Sequence, residues 1–155
     1  MSSDARFEDG DARPLRLKAL DADDLSVISA LTQDAVFPAS EMQWDRKARR
    51  FGLLINRFRW EDARAAALAE RVQAVLAFED VMQVQSQGVS PSDLDMVYAL
   101  LSIAFHPGDD GAGRVELTLA GDGAISLEVE ALEVVLRDVT RPYVAPSGKA
   151  PAHPD

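Results

Sequence analysis

Two turn-forming clusters do most to limit how this chain can fold. "HPGDDGAG" (His106 to Gly113) and "AGDGA" (Ala120 to Ala124) concentrate Pro, Gly and Asp, which preset φ in tight reversals or bond their own backbone. Around them stand short stretches in which apolar and polar residues alternate, the two-residue period of a strand with one covered face. Val115, Leu117 and Leu119 form one such series; Ile125, Leu127 and Val129 form the next. Strands joined by turns too short for a crossover helix must pair antiparallel. The expected class is therefore α+β, mainly antiparallel β: a single-domain sandwich, roll or small barrel with one or two helices. A parallel nucleotide-binding sheet is disfavoured.

The remaining segments extend this reading. "LRLKAL" (Leu15 to Leu20) alternates like a strand. "DADDLSVISALTQDAV" opens with aspartates suited to a helix N-terminus, and Leu25, Ile28, Leu31 and Ala35 recur at helical spacing, although Leu25, Val27, Ser29 and Leu31 also fit a strand face. Further strands are expected over Val36 to Trp44, Arg50 to Trp60, Arg71 to Gln85, Met96 to Phe105, Arg114 to Leu119, and Ala124 to about Val139. The alanine-rich "EDARAAALAE" is a short helix or a connection. Beyond Leu132 the alternation changes phase, so residues 130–139 read as a bulged strand or a C-terminal helix, and a closing helix would favour a pleckstrin-homology-like roll. Residues 1–13 and the proline-rich 144–155 have tail composition, which leaves 14–143 as the globular domain.

Keeping the apolar residues of the last hairpin on one face sets Leu119 opposite Ile125, leaves Gly121, Asp122 and Gly123 as the loop, and gives Gly123 the left-handed position. Glu116 then faces Glu128 and Arg114 faces Glu130. Two facing carboxylates could hold a hard cation, but calcium takes about six or more oxygens and no further ligand is spaced to help, so no metal is expected. With only His106 and His153, and no cysteine, zinc sites, disulfides and thiol nucleophiles have no ligands to build from. The glycine-rich turns lack the lysine of a phosphate-binding loop, and no cofactor is implied.

Charge is the other informative quantity. The 155 residues carry −10, yet Asp45 to Arg64 holds seven basic residues against three acidic, a local +4 that leaves −14 elsewhere. Within it stands "RRFGLLINRFRWED". An extended strand points Asn56, Phe58 and Trp60 one way and Ile55, Arg57 and Arg59 the other, so the rings are expected in the core and the arginines outside. The global charge opposes nucleic acid and anionic membranes. No run approaches the roughly 20 apolar residues of a membrane span, and the first residues lack a signal-peptide pattern, so a cytoplasmic location is expected.

"DLSVISALTQDAV", "RRFGLLINRFRWE", "FEDVMQVQS", "LLSIAFHPG" and "LTLAGDGAISLEVEALEVVLRD", in that order, resemble an uncharacterised alphaproteobacterial family of short proteins classed as a domain of unknown function. The resemblance implies a small cytoplasmic protein and carries across no catalytic residue. The reading is then a non-catalytic binding or accessory module that acts through a protein partner or by self-association, with Arg49, Arg50, Arg57 and Arg59 as the partner surface. The alternative is an enzyme or small-ligand binder with a pocket from Asn56, Arg57, Glu61 and His106. RNA binding through the arginine strand is a further alternative, weighed down by the acidic remainder.

Overall fold

The computed structural model describes residues 14–90 and 92–140 and the backbone of 143–144. β1 (Arg16–Ala19) has the expected alternation, with Ala19 buried and Arg16 and Lys18 exposed. α1 (Ala22–Leu31) follows because Asp21 caps it. The Asp21 carboxylate accepts the Asp24 amide at 2.8 Å, while Asp23 and Asp24 occupy the positive end of the helix. Leu25 and Ile28 are its buried stripe, and Thr32 closes it by donating its hydroxyl to the Ile28 carbonyl. This settles residues 22–31 as helix.

Strands dominate the rest: β2 (Val36–Pro38), β3 (Met42–Asp45), β4 (Arg50–Phe58), β5 (Glu70–Phe78), β6 (Val81–Gln87), β7 (Val97–Pro107), β8 (Gly113–Leu119), β9 (Ala124–Val129), β10 (Val134–Asp138) and β11 (Tyr143–Val144). All pairings are antiparallel. Their order is β1-β10-β5-β4-β2-β7-β8-β9-β6, with β3 added on β4 and β11 on β5. The alanine-rich segment contains α2 (Ala63–Ala67), capped by Asp62. β2 joins two halves of the sheet, since Val36 faces Asn56 of β4 and Ala99 of β7. Both halves turn apolar faces into one core, where Leu53, Leu76 and Leu136 meet the same cluster as Leu100, Leu117 and Leu127. α1 packs on β1 and β7, and its Ser29 hydroxyl accepts the Ile103 amide at 2.8 Å.

Three segments expected as single strands are each divided. Within Val36 to Trp44, a 3-10 turn at Ala39–Glu41 separates β2 from β3. The Ala39 and Ser40 amides donate there to the carbonyls of Met96 and Leu94, at 2.8 and 3.0 Å, drawing the chain off the ladder. Arg71 to Gln85 is a corner: β5 stops at Phe78, Asp80 adopts a left-handed φ of 55°, and β6 continues in the other half of the sheet. Ala124 to Val139 crosses back beside it as β9 and β10. The Glu130 amide reaches the Asp80 carbonyl at 2.9 Å, and the Glu79 amide reaches that of Glu133 at 3.0 Å. Residues 134–138 are thus a strand and not a C-terminal helix. The closing helix of a pleckstrin-homology-like roll has no counterpart among the described residues.

The last hairpin keeps its expected faces but differs in register by two residues. Leu117, not Leu119, faces Ile125, and the Leu119 amide bonds the Gly123 carbonyl at 2.8 Å. Gly121 and Asp122 carry the positive φ values, 80° and 68°, in a three-residue loop, Ala120 to Asp122, which that bond closes. Gly123 therefore does not take the left-handed role. Glu116 faces Ser126, and Glu128 faces Arg114, so no pair of glutamates stands directly across the ladder. The expected tails over 1–13 and 144–155 lie outside the described residues, apart from the backbone of Val144, which pairs with Glu70.

Candidate interaction surface

Arg57 and Arg59 lie inside the molecule, against the sequence expectation, while Phe58 is buried as expected. Phe51, Leu53 and Ile55 enter the core, and Arg57 follows on their side, fully buried at 0% exposure. Its burial is sustained because every guanidinium donor has an acceptor. Nε and one Nη2 hydrogen bond Asp138 at 3.0 and 2.9 Å. Nη1 and Nη2 bond Glu61 at 2.8 and 2.9 Å, and Nη1 also meets the Phe58 carbonyl at 3.0 Å. Asp138 additionally accepts the Leu15 amide at 2.9 Å, so one side chain ties β4 to β10, β1 and the turn toward α2. Burial alone would push the Glu61 carboxyl up, but the Arg57 guanidinium more than reverses this and holds it below the usual carboxylate range. Burial likewise opposes the Arg57 charge, and the hydrogen bonds it donates to Glu61 and Asp138 outweigh this and raise its pKa.

Arg59 is also buried, with Nη1 2.9 Å from Glu70. Phe58 is buried under the Arg71 guanidinium, 4.5 Å from the ring centre, whereas Trp60 is only half-buried, leans on Phe58 and donates its indole N–H to the Gln33 carbonyl at 2.8 Å. At the start of β4, Arg49 bridges Glu130 and Asp80 at 3.0 and 3.3 Å, and Arg50 meets Glu79 at 2.7 Å. Four of the seven basic residues of the island seen in sequence, Arg49, Arg50, Arg57 and Arg59, are thus paired with carboxylates, most of them distant in the chain.

A different surface lies open beside it. β3 and β6 are outer strands of the two halves, and no further strand pairs with their free edges among the described residues. A groove runs between them. One hollow of about 300 Å³ is lined by Trp44, Arg46, Arg49, Val81, Met82 and Gln83. An apolar hollow of about 130 Å³ lies by Met42, Trp44, Phe51, Val84, Val89 and Ile125. The Val81 amide donates to the Arg49 carbonyl at 2.9 Å and pins one end of the groove. β6 reads Val-Met-Gln-Val-Gln-Ser-Gln, with neither charge nor proline.

A family model for proteins of unknown function, DUF2948, matches residues 15–153, nearly the whole chain. The chain belongs to the DUF2948 family. No curated protein and no solved structure matches it significantly.

In this DUF2948 chain the four residues of the expected polar pocket do not converge. Arg57 and Glu61 are joined in the buried cluster, and Asn56 neighbours them on β4. His106 stands seven positions along β7 from Ala99, which shares the Val36 rung with Asn56. At about 3.3 Å per residue that separates it by roughly 20 Å. Its ring instead meets Glu116 at 3.3 Å on the outer face of β8. Gln85, Ser86, Gln87, Glu116, Ala124 and Ser126 border an open polar hollow of about 490 Å³ on that face. Among the described residues no group of three His, Asp or Glu side chains is placed to hold a metal ion, and no helix is long and apolar enough to cross a membrane. The open β6 edge escaped the sequence reading because residues 71–85 were expected to form one strand, which hid where β6 begins.

Proposed function

We propose that the protein is a non-catalytic interaction module that engages a protein partner along the side between β3 and β6. The observation that carries this reading is β6 itself. A seven-residue outer strand normally bears lysine, proline or a covering element to prevent unplanned pairing, and this one has neither lysine nor proline; its edge is interrupted at the start alone, where the Arg49 carbonyl takes the Val81 amide and a bulge falls between Val81 and Gln83. Unpaired backbone groups supply affinity for an added strand, and the groove of Trp44, Met82 and Val84 supplies the apolar contact. Arg49 and Arg50 border the side as rim charges, whereas Arg57 and Arg59 lie at the other end of β4, held by Asp138, Glu61 and Glu70. That all four hold carboxylates counts against RNA as the partner.

A photoreactive side chain placed at Met82 should crosslink the partner, whereas the same group at the exposed Arg16 on β1 should not. The captured protein, once purified, should bind the natural chain and lose most affinity for a Trp44→Ala, Arg46→Glu double variant of unchanged melting temperature. Equal crosslinking from both positions would remove this side as the functional surface.

A further inference from the structure

The open edge of β6 is complementary to itself, and we propose that its occupant is β6 of a second copy, paired antiparallel across a two-fold axis. This rests on the interaction-module reading and names its partner. Three features of the edge fit this occupant. First, a two-fold axis at Val84 sets Gln83 of each copy opposite Gln85 of the other, on one face of the joined sheet. A primary amide is both donor and acceptor, so glutamine facing glutamine satisfies both without a charge to repel.

Second, the two ends of β6 carry opposite charge. Exposed Arg46 and Lys47 stand beside its start, where Arg46 lines the groove with Val81 and Met82. Asp93 and Asp95 are exposed on the loop that leaves its end, a loop tied to the groove through Val89 and through the Leu94 carbonyl, which accepts the Ser40 amide. Antiparallel pairing brings the basic end of each copy to the acidic loop of the other, twice by symmetry. Of the other carboxylates near the basic end, Asp80 and Glu130 are engaged with Arg49, Glu79 with Arg50, and Asp45 with the Ala48 amide, while exposed Glu128 stands across the ladder from Gln83 with Arg114 on its other side.

Third, the same ends expose apolar side chains that pairing would cover. Met82 is 53% exposed at the start, and Leu94 and Met96 are 56% and 45% exposed on the loop. Each copy would lay its loop near the other's Met82.

Sedimentation equilibrium of the full chain, from micromolar to millimolar concentration, reads the outcome as a mass of twice 16.8 kDa. Gln83→Lys with Gln85→Lys faces like charges across the axis and should weaken the dimer by ~100-fold or more. Gln83→Lys with Gln85→Glu faces opposite charges and should restore it. Both side chains are exposed, so these variants should melt with the natural chain. A natural chain that stays monomeric throughout, or a dimer indifferent to the double lysine, overturns the proposal. If the chain is monomeric yet the double lysine abolishes crosslinking from Met82, the second copy is rejected while the interaction module stands. If the natural chain is monomeric and the double lysine leaves that crosslink intact, both fall.

Discussion

Arg57 shows why a charged side chain can be an interior residue. Its five donors meet two carboxylates and one carbonyl, and two of its acceptors come from Asp138, 81 residues away. Removing the guanidinium would leave the buried Asp138 carboxylate without its counter-charge and Glu61 with only Arg59, 3.9 Å away. Arg57→Ala is therefore expected to cost about 3 to 5 kcal/mol, measured by denaturant midpoint, whereas Trp60→Ala removes a half-exposed ring and one hydrogen bond and should cost less. Near-neutrality of Arg57→Ala would show that the cluster is dispensable. Glu61 supplies a pH test. Its folded pKa lies below its unfolded one, so the unfolded state binds protons first as pH falls. The stabilisation is fully present above the ordinary carboxylate range, near 4.5, and is lost as pH drops through the lower folded value. Glu61→Gln should be less stable at neutral pH and lose less on acidification. An acid profile parallel to that of the natural chain would disprove the linkage.

At the scale of elements, the β8–β9 hairpin separates what alternation dictates from what turn geometry dictates. A two-residue slip keeps every side chain on its face, so the apolar pattern could not choose between the expected and observed registers. The choice falls to the turn, where Gly121 and Asp122 accept positive φ. Gly121→Val should cost about 1 to 2 kcal/mol, because a branched side chain resists the left-handed region and no crowding is involved. Gly123→Ala should be milder, since its new Cβ would meet Leu119 and the Gly88 carbonyl at 3.4 Å with no left-handed φ. The reverse order in thermal unfolding would restore the sequence-based register. The corner at Glu79 and Asp80 escaped notice for a related reason. "AFEDVM" has neither Gly nor Pro, and its reversal depends on Asp80 taking φ 55° beside partners from β9 and β10.

On the scale of the whole molecule, β2 and the corner between β5 and β6 fold one sheet back on itself around a shared core. That arrangement uses up the apolar faces but leaves two edges, β3 and β6, on one side. α1 packs on β1 and β7, while among the described residues no helix packs along β6. The exposed edge, the groove and the oppositely charged ends of β6 therefore arise together from the way the sheet is folded. The arginines, which looked like the functional surface when read along the chain, mostly join elements within the molecule.

The sequence alone determined what short-range physics controls. Alternation located most strands and put Phe51, Leu53 and Ile55 on one face; Asp21 marked the start of α1; and the Pro, Gly and Asp clusters marked the reversals on either side of β8. These signals are local because a strand repeats every two residues and a cap acts within one turn. Tertiary structure decided whether Arg57 lay inside, since its burial depends on Asp138 from a strand paired with β1 and β5, and no local pattern announces that carboxylate. It decided equally which edge was left open, because an edge is defined by the strands that do not pair with it.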